Sequence, residues 1–276
     1  MSLSSKVKKE PNWILKVDDL KIQFESEGLT TTAVNGISYT LEKGETLGIV
    51  GESGSGKSVS SMAIMKLLPT PPGKYSSGFI AFDGQEDNLL SLEENEIRAF
   101  RGKQVSMIFQ EPMTSLNPGH KCGRQVAEML HLHTDWSKDK VKSYVLELFE
   151  KVKLPDPNRV YRSYPHQLSG GQLQRVMIAM AISCSPKILI ADEPTTALDV
   201  TVQKTIIELL KDLNKELGNS TIFITHDLGV IRQIADKVMV MLRGDVMEFG
   251  NVDDVFSNPQ SAYTKGLIAC RPPLNK

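Results

Sequence analysis

The chain has 276 residues, which is long enough to bury a sizeable core as one large domain or as a domain with an inserted lobe. Its 32 basic and 33 acidic residues give a net charge of −1, so the sequence lacks the basic surplus that is usual in nucleic-acid-binding proteins. The three cysteines are scattered, which indicates a reducing compartment and argues against a disulfide framework.

Neither a membrane span nor a signal peptide is expected. The longest strongly apolar stretch, at 176–184, has nine residues, whereas about 20 are needed to cross a bilayer. The lysines at positions 6, 8 and 9 are not followed by an apolar run, as they would be in a signal peptide. Any membrane role must therefore come through a partner.

The N-terminal part of the chain predicts a small antiparallel sheet. Residues 1–12 are polar, and we expect them to be disordered. Residues 13–24 and 34–41 alternate like strands, with a turn expected at 25–32, and a further strand is expected at 78–83. We expect this sheet to lie beside the phosphate-binding segment described next.

Residues 51–58, Gly-Glu-Ser-Gly-Ser-Gly-Lys-Ser, fit the phosphate-binding pattern G-x-x-x-x-G-K-[ST]. The apolar run at 46–50 predicts a buried strand before them, and 58–68 predicts a helix after them. A glycine turn between a strand and a helix directs several backbone N–H groups, and the positive end of the helix dipole, at one point. An ordinary glycine turn is the alternative, but the agreement of motif and context favours a phosphate site.

Each part of this P-loop has an expected role. Lys57 can reach the β- and γ-phosphates of a nucleotide, and the Ser58 hydroxyl can ligate Mg²⁺. The glycines allow the turn and the close approach of phosphate. The residues expected to bind the nucleotide here are Gly51, Ser53, Gly54, Ser55, Gly56, Lys57 and Ser58.

A helical lobe is predicted between two parts of the core. The strand expected at 105–109 runs into Gln110, and helices are expected at 123–133 and 137–152, after a loop marked by prolines and glycine. The predicted division is a nucleotide-binding core formed by 13–110 and 165–276 and a lobe formed by 111–164.

Beyond the lobe, strands and helices alternate, which predicts a mainly parallel sheet with helical crossovers and thus an α/β fold. The apolar strand at 187–191 ends in Asp192 and Glu193. Ligands of parallel sheets bind at the carboxyl ends of strands, so Asp192 is expected to hold Mg²⁺ and Glu193 to orient or deprotonate the attacking water. A helix N-cap pair is the alternative, and the P-loop upstream argues against it.

Several short motifs follow in an order that is typical of one family. Residues 168–172, Leu-Ser-Gly-Gly-Gln, precede a predicted helix and resemble the signature motif of ATP-binding cassette (ABC) proteins. Gln110 resembles the glutamine of that family's Q-loop, residues 197–199 its D-loop, and His226 its switch histidine. The resemblance covers about residues 13–270 and implies a P-loop core, an N-terminal antiparallel β lobe and an inserted helical lobe.

The resemblance also implies how the site would work. Phe24 would stack on the adenine of ATP, and Gln110 and His226 would sense its γ-phosphate. The signature is a second anion site at a helix start, which implies that ATP lies between two head-to-tail subunits. The implied catalytic residues are Lys57, Gln110, Glu193 and His226, the metal ligands Ser58, Gln110 and Asp192, and the further nucleotide contacts Ser169, Gly170, Gly171, Gln172 and Asp199.

Two stretches narrow the resemblance to importers of oligopeptides, dipeptides and nickel. Residues 110–118 resemble the extended Q-loop of those ATPases, and residues 257–259 and 263–267 resemble their C-terminal segment. Ser-Ala stands at 261–262, where that subfamily usually has His-Pro. Many members carry a later cysteine-rich tail that can hold an iron–sulfur cluster. We expect that tail to be missing or removed here, because the chain ends at Lys276, shortly after its last cysteine.

We therefore expect an ATP-hydrolysing subunit that powers an importer of oligopeptides or dipeptides. Its expected partners are a second ABC ATPase subunit, identical or different, two transmembrane permease subunits and, indirectly, an extracytoplasmic solute-binding protein. Nucleic acid is not an expected partner. The chain would lie at the cytoplasmic face of the cell membrane as a peripheral protein. The alternatives are an ABC ATPase for nickel, another solute or export, and an ABC ATPase without a transport role.

The lobe is also the expected docking surface for the permease. It follows directly from Gln110, so it could transmit the state of the γ-phosphate. We expect exposed apolar side chains around Met113, Leu116 and the helix beginning at Gly123 to meet a cytoplasmic loop of the permease.

Overall fold

The computed structural model describes residues 12–196 and 198–270. The disorder predicted for residues 1–12 therefore falls outside the described residues, except for Asn12. The strands are β1 (Trp13–Ser26), β2 (Leu29–Glu42), β3 (Thr46–Val50), β4 (Gly73–Phe82), β5 (Val105–Ile108), β6 (Ile188–Asp192), β7 (Ser220–Ile224), β8 (Lys237–Leu242) and β9 (Asp245–Asn251). The α-helices are α1 (Lys57–Ile64), α2 (Glu94–Phe100), α3 (Pro112–Ser115), α4 (Cys122–His133), α5 (Lys138–Lys151), α6 (Pro157–Arg162), α7 (Gly170–Ile182), α8 (Val200–Leu217), α9 (Leu228–Ile234), α10 (Val252–Ser257) and α11 (Ala262–Ala269).

Strands β2, β1 and β4 form an antiparallel sheet in that order, as predicted. Ser26 pairs with Leu29, so only Glu27 and Gly28 separate β1 from β2, with φ angles of 51° and 78°. Positive φ at both positions gives the turn that matches the twist of paired strands. The turn predicted at 25–32 is therefore too long, because the threonines that follow Leu29 continue the strand pairing.

Two further element boundaries differ from the predictions. Strand β4 begins at Gly73 rather than at residue 78, since Gly73 already pairs with Phe24 at the end of β1. Helix α1 ends at Ile64 rather than at residue 68, and Lys66, with a φ of 48°, lies outside helical geometry. Pairing with the distant strand β1 determines where β4 begins, and a left-handed residue follows the end of α1. Neither feature can be predicted from the pattern of neighbouring residues in the sequence.

The second sheet has the strand order β5-β6-β7-β3-β8-β9. Strands β5, β6, β7, β3 and β8 are parallel, and β9 pairs antiparallel with β8. This arrangement confirms the predicted α/β fold with a mainly parallel sheet. Because β6, β7 and β3 are neighbours and run in one direction, the residues that follow these three strands lie side by side at one edge of the sheet.

The parallel sheet is buried on both faces, as sheets with helical crossovers usually are. Along β6, Ile188 and Ile190 pack in one apolar cluster with the antiparallel sheet and α1. Leu189 and Ala191 pack in another cluster with α4, α5, α7 and α8. The rigid central sheet therefore holds the ends of its strands at fixed positions.

Helices α3 to α6 lie between β5 and α7, where the helical lobe is predicted. Helix α3 occupies part of the expected loop, and α6 has no counterpart among the predicted helices. Pro157 stands in its first turn, and the Asp156 side chain accepts a hydrogen bond from Arg159 N at 3.1 Å. Among the described residues, no helix combines the length and the apolar character needed to cross a bilayer.

Leu116 does not lie on the surface, contrary to the expectation that it contributes to docking. It follows α3, is only 1% exposed and packs in the cluster formed with α4 and α7. Met113, on α3 itself, is 61% exposed. The short helix turns one of the two apolar side chains inward, so Met113 is the one available for a partner.

Candidate nucleotide site

The P-loop connects β3 to α1 with very little space around its backbone. Gly56, with a φ of 96°, is the residue before α1. A Cβ atom there would collide with the backbone oxygen of Ala33 in β2, and a Cβ atom on Gly51 would collide with that of Met241 in β8. Glycine is therefore required at both positions, by close packing as well as by conformation. Ser53 and Gly54 are exposed at the tip of the loop, and Ser55 is buried.

The Lys57 side chain folds back into the loop. Its Nζ donates hydrogen bonds to the backbone oxygens of Gly51 and Glu52, both at 2.8 Å, and the residue is 5% exposed. Burial lowers the pKa of the Lys57 ammonium, and the negative charges of Glu193 and Asp192 oppose that shift. The loop thus holds a buried positive charge against its own carbonyl groups, facing two carboxylates.

Asp192, at the end of β6, lies against the start of α1. The Ser58 hydroxyl donates a hydrogen bond to Asp192 Oδ1 at 2.9 Å. Burial raises the pKa of Asp192, the Ser58 hydrogen bond lowers it, the charge of Glu193 raises it and that of Lys57 lowers it. A hydroxyl and a buried carboxylate side by side are the hard oxygen donors that suit Mg²⁺. Among the described residues, no group of three His, Cys, Asp or Glu side chains could hold a metal ion.

Glu193 follows Asp192 in an unusual backbone conformation. Its φ is 44°, in the left-handed region that few residues other than glycine adopt, and its N–H donates to Ile224 O at 2.9 Å. Its Oε2 accepts hydrogen bonds from Thr196 Oγ1 at 2.8 Å and from Gln110 Nε2 at 3.2 Å. His226 Nδ1 lies 3.5 Å from the same oxygen. The structure therefore brings Gln110, Glu193 and His226 together.

Thr196 also belongs to this group, although no motif in the sequence points to it. It lies three residues after Glu193, in the turn between β6 and α8. A hydroxyl can reach a carboxylate three residues earlier only when the chain turns between them. The spacing alone is therefore a weak signal of the contact between Thr196 and Glu193. Thr196 N also donates to Glu193 O at 3.1 Å, which defines that turn.

The signature residues lie at the start of α7 and are not joined to the P-loop. Ser169 caps the helix: its hydroxyl accepts from Gln172 N at 3.4 Å, and Gln172 Oε1 accepts from Ser169 N at 3.1 Å. Ser169 and Gly170 are exposed. In the described part of the chain, no hydrogen bond links either residue to the P-loop. The two predicted anion sites are therefore separate from each other within one chain.

Two of the remaining predicted nucleotide contacts, Asp199 and Phe24, make contacts only with neighbouring parts of the fold in the described structure. Asp199 is the N-cap residue of α8, and its Oδ1 accepts a hydrogen bond from Val202 N at 3.0 Å. Ala197, in the predicted D-loop, lies outside the described residues. Phe24 is half-buried at the end of β1 and packs against the apolar cluster of the antiparallel sheet. Its stacking on adenine remains a prediction.

Comparison with known proteins decides the family. The family described as "ABC transporter" matches residues 34–196. The chain belongs to the ABC transporter family. It is an ATPase of that family, as the order of its motifs predicts.

Relatives of this ABC ATPase include transport proteins from several bacteria. It is 52% identical to the oligopeptide transport ATP-binding protein OppD of Bacillus subtilis, over 95% of this chain and 72% of that protein. It is 49% identical to the dipeptide transport ATP-binding protein DppD of the same organism, over 95% and 78%. Identity to the peptidoglycan transport ATP-binding protein YejF of Agrobacterium fabrum is 52%, but the match spans 47% of that longer protein.

Solved ABC cassettes have the same fold as this ABC ATPase. A dimeric structure of the cassette MJ0796 in a post-hydrolysis state, bound to ADP and Pi, aligns with a TM-score of 0.77 and 28% identity, over 87% of this chain and 99% of that one. The cbiO1 protein of Clostridium perfringens, part of the ABC transporter complex cbiONQ, aligns with a TM-score of 0.74 and 29% identity, over 90% and 92%.

Proposed function

We propose that this ABC ATPase hydrolyses ATP at the P-loop edge of its parallel sheet to power an importer of oligopeptides or dipeptides. The observation that carries the proposal is the convergence of Gln110, Thr196 and His226 on the carboxylate of Glu193, next to the Ser58–Asp192 pair. The similarity to proteins named for oligopeptide and dipeptide transport supports the substrate class.

Ser58 and Asp192 are the residues that would hold Mg²⁺, with Gln110 as a further ligand. A bound Mg²⁺ would neutralise phosphate charge during the transfer. Lys57 would leave the carbonyl groups of its own loop and bind the β- and γ-phosphates, and the loop glycines would bring backbone N–H groups to the same phosphates.

Glu193 would orient the water that attacks the γ-phosphorus. The new P–O bond forms as the bond to the oxygen bridging the β- and γ-phosphates breaks, ADP leaves, and the water proton passes to the Glu193 carboxylate. Gln110 and His226 would exchange their contacts with Glu193 for contacts with the γ-phosphate. That exchange is how the presence of ATP would be sensed.

The site would be completed by a second ABC ATPase subunit. Ser169 and Gly170 are exposed and separate from the P-loop of their own chain, so they are free to contact nucleotide bound elsewhere. A head-to-tail pair with two-fold symmetry places each signature opposite the partner's P-loop. The dimeric structures of the cassette MJ0796 support the pairing of two subunits. The second subunit would be a copy of this chain or a related cassette.

The helical segment would dock on two transmembrane permease subunits and hold the ATPase at the cytoplasmic face of the membrane. Phe109, just before Gln110, is 38% exposed, and Met113 is exposed on α3. Exposed apolar side chains often mark a surface that binds another protein. Because these two lie close to Gln110, a permease bound there could change its conformation when ATP binds. A solute-binding protein outside the membrane would deliver the peptide to the permease.

Reconstitution tests the proposal. The chain would be co-expressed with the permease and solute-binding proteins from neighbouring reading frames, and uptake of labelled dipeptides, oligopeptides and Ni²⁺ would be measured in vesicles containing ATP. Peptide uptake that disappears in the Glu193→Gln variant supports the proposal. Nickel uptake without peptide uptake would move the assignment to the nickel importers, and ATP hydrolysis without any uptake would favour another solute or a role outside transport.

A further inference from the structure

The carboxylate of Glu193 is held through one of its two oxygens. Oε2 accepts from the Thr196 hydroxyl at 2.8 Å and from Gln110 Nε2 at 3.2 Å, and His226 Nδ1 lies 3.5 Å away. Within residues 12–196 and 198–270, all of these contacts are with Oε2, and no donor is bonded to Oε1. One oxygen is therefore fixed, and the other can accept a hydrogen bond from water.

The three partners differ in how firmly they are placed. Gln110 follows β5 and His226 follows β7, so both reach Glu193 from distant parts of the chain. Their contacts are longer than that of Thr196, and the His226 side chain is 69% exposed. Both are also the residues that turn to the γ-phosphate in the proposed function. When they do so, the Thr196 hydroxyl is the partner that stays with Oε2.

The backbone around Glu193 restrains the same carboxylate from its other end. Glu193 has a left-handed φ of 44°, and its N–H donates a hydrogen bond to Ile224 O at 2.9 Å. A sparsely populated conformation at a functional residue persists only where its surroundings hold it. The bond from Thr196 N to Glu193 O closes the turn, so the Thr196 hydroxyl is carried on the same rigid unit.

We infer that Thr196 is a positioning residue for Glu193, whose hydroxyl holds Oε2 so that Oε1 faces the attacking water. This inference rests on the proposed role of Glu193 in ATP hydrolysis. A residue that orients the carboxylate without touching ATP acts on the chemical step, so its loss lowers kcat and leaves KM for ATP nearly unchanged.

Three single variants test this assignment by steady-state ATP hydrolysis, with rates normalised to nucleotide sites counted with a fluorescent ATP analogue. Thr196→Val keeps the side-chain shape and removes the hydroxyl, and kcat should fall about tenfold, as expected for one lost hydrogen bond to a charged group. Thr196→Ser restores the hydroxyl and should recover most of the rate. Thr205→Val is the matched control, because Thr205 is half-buried on α8 and its hydroxyl bonds only to Thr201 O in the described structure.

Combination with Glu193→Gln separates this inference from the proposed function. In that background Thr196→Val should cause no further loss, because the two changes act on one carboxylate. A Thr196→Val variant with the kcat of the wild type, or a Thr196→Ser variant as slow as Thr196→Val, would overturn the inference. A Glu193→Gln variant that hydrolyses ATP at the wild-type rate would instead overturn the role of Glu193 itself.

Discussion

The Ser58 hydroxyl donates a hydrogen bond to Asp192 Oδ1 at 2.9 Å, although the two residues are 134 positions apart in the chain. Ser58 belongs to the first turn of α1 and Asp192 is the last residue of β6. Strands β6 and β3 lie on either side of β7 and run in the same direction, which brings these ends together. The pair joins the P-loop to the end of β6, and its two oxygen atoms are the predicted ligands for Mg²⁺.

Ser58→Ala should weaken binding of Mg-ATP by about tenfold, because one oxygen ligand of a hard cation is lost. ATP binding in the presence of EDTA should stay the same, since the phosphate contacts of the loop remain. Isothermal titration calorimetry with and without Mg²⁺ measures both affinities. The exposed Ser76 on β4 provides the control variant Ser76→Ala. An equal loss in both conditions would mean that Ser58 supports the loop rather than the metal.

Asp83 links the antiparallel sheet to the parallel one. Its carboxylate lies 2.9 Å from Lys43 Nζ and 2.6 Å from Lys187 Nζ, and its side chain is 24% exposed. The hydrogen bonds from Lys187 and Lys43 lower the pKa of Asp83, with burial opposing them. A lowered pKa in the folded state gives stability that is present above the ordinary carboxyl pKa and is lost as the pH falls through the folded value.

Asp83→Asn should therefore lower the free energy of unfolding by about 1 kcal/mol at neutral pH. The difference from the wild type should shrink as the pH falls below the ordinary carboxyl pKa of about 3.9, and it should vanish once the wild-type carboxyl is protonated in the folded state. Urea unfolding, followed by circular dichroism from neutral to acidic pH, measures this difference in the free energy of unfolding. Lys74→Gln, which removes the largely exposed pair with Glu25, should have little effect at any pH. A loss for Asp83→Asn that is independent of pH would argue against the charge pair as its cause.

Met113 and Leu116 should respond in opposite ways to a charged side chain. Met113→Asp should leave ATP hydrolysis by the isolated chain nearly intact and prevent co-purification with the permease, because Met113 is exposed. Leu116→Asp should destabilise the chain by about 3 kcal/mol or more, since a charge would replace a buried apolar side chain. Thermal unfolding and pull-down from co-expressing cells separate the two effects. Leu29→Asp, at the tip of the β1–β2 hairpin, is an exposed control.

If Met113→Asp bound the permease as well as the Leu29→Asp control does, α3 would not be part of the docking surface.

Glu193→Gln should form a dimer when Mg-ATP is added, since uncleaved ATP would hold two subunits together. Light scattering at high protein concentration measures the mass. Adding Ser169→Arg to that variant should abolish the dimer, because a bulky charged side chain would replace the exposed hydroxyl at the start of α7. Both variants should bind one ATP per chain when diluted, since the P-loop is unchanged. A dimer that survives Ser169→Arg would contradict a site shared through the signature.

The sequence predicts those parts of the fold and site that depend on residues close together in the chain. The strand, P-loop and helix around Lys57 form one continuous segment, and Asp192 directly follows an apolar strand. The contact of Gln110 with Glu193 is different, because it depends on β5 and β6 being neighbours in the sheet. The burial of Leu116 depends on the four-residue helix α3. The proline and asparagine residues in and after α3 are typical of loops, so the sequence does not predict this helix. The hydrogen bond from Thr196 to Glu193 depends on the turn that follows the left-handed backbone of Glu193.

Glu193, at the edge of the sheet, is the residue that we propose orients the water that cleaves ATP. The most direct test is the nucleotide that remains bound after incubation with Mg-ATP, identified by acid quench and chromatography. Wild-type protein should yield ADP, and Glu193→Gln should retain intact ATP at a similar occupancy. Equal conversion to ADP by both proteins would contradict the account, because the carboxylate would then not be needed for cleavage.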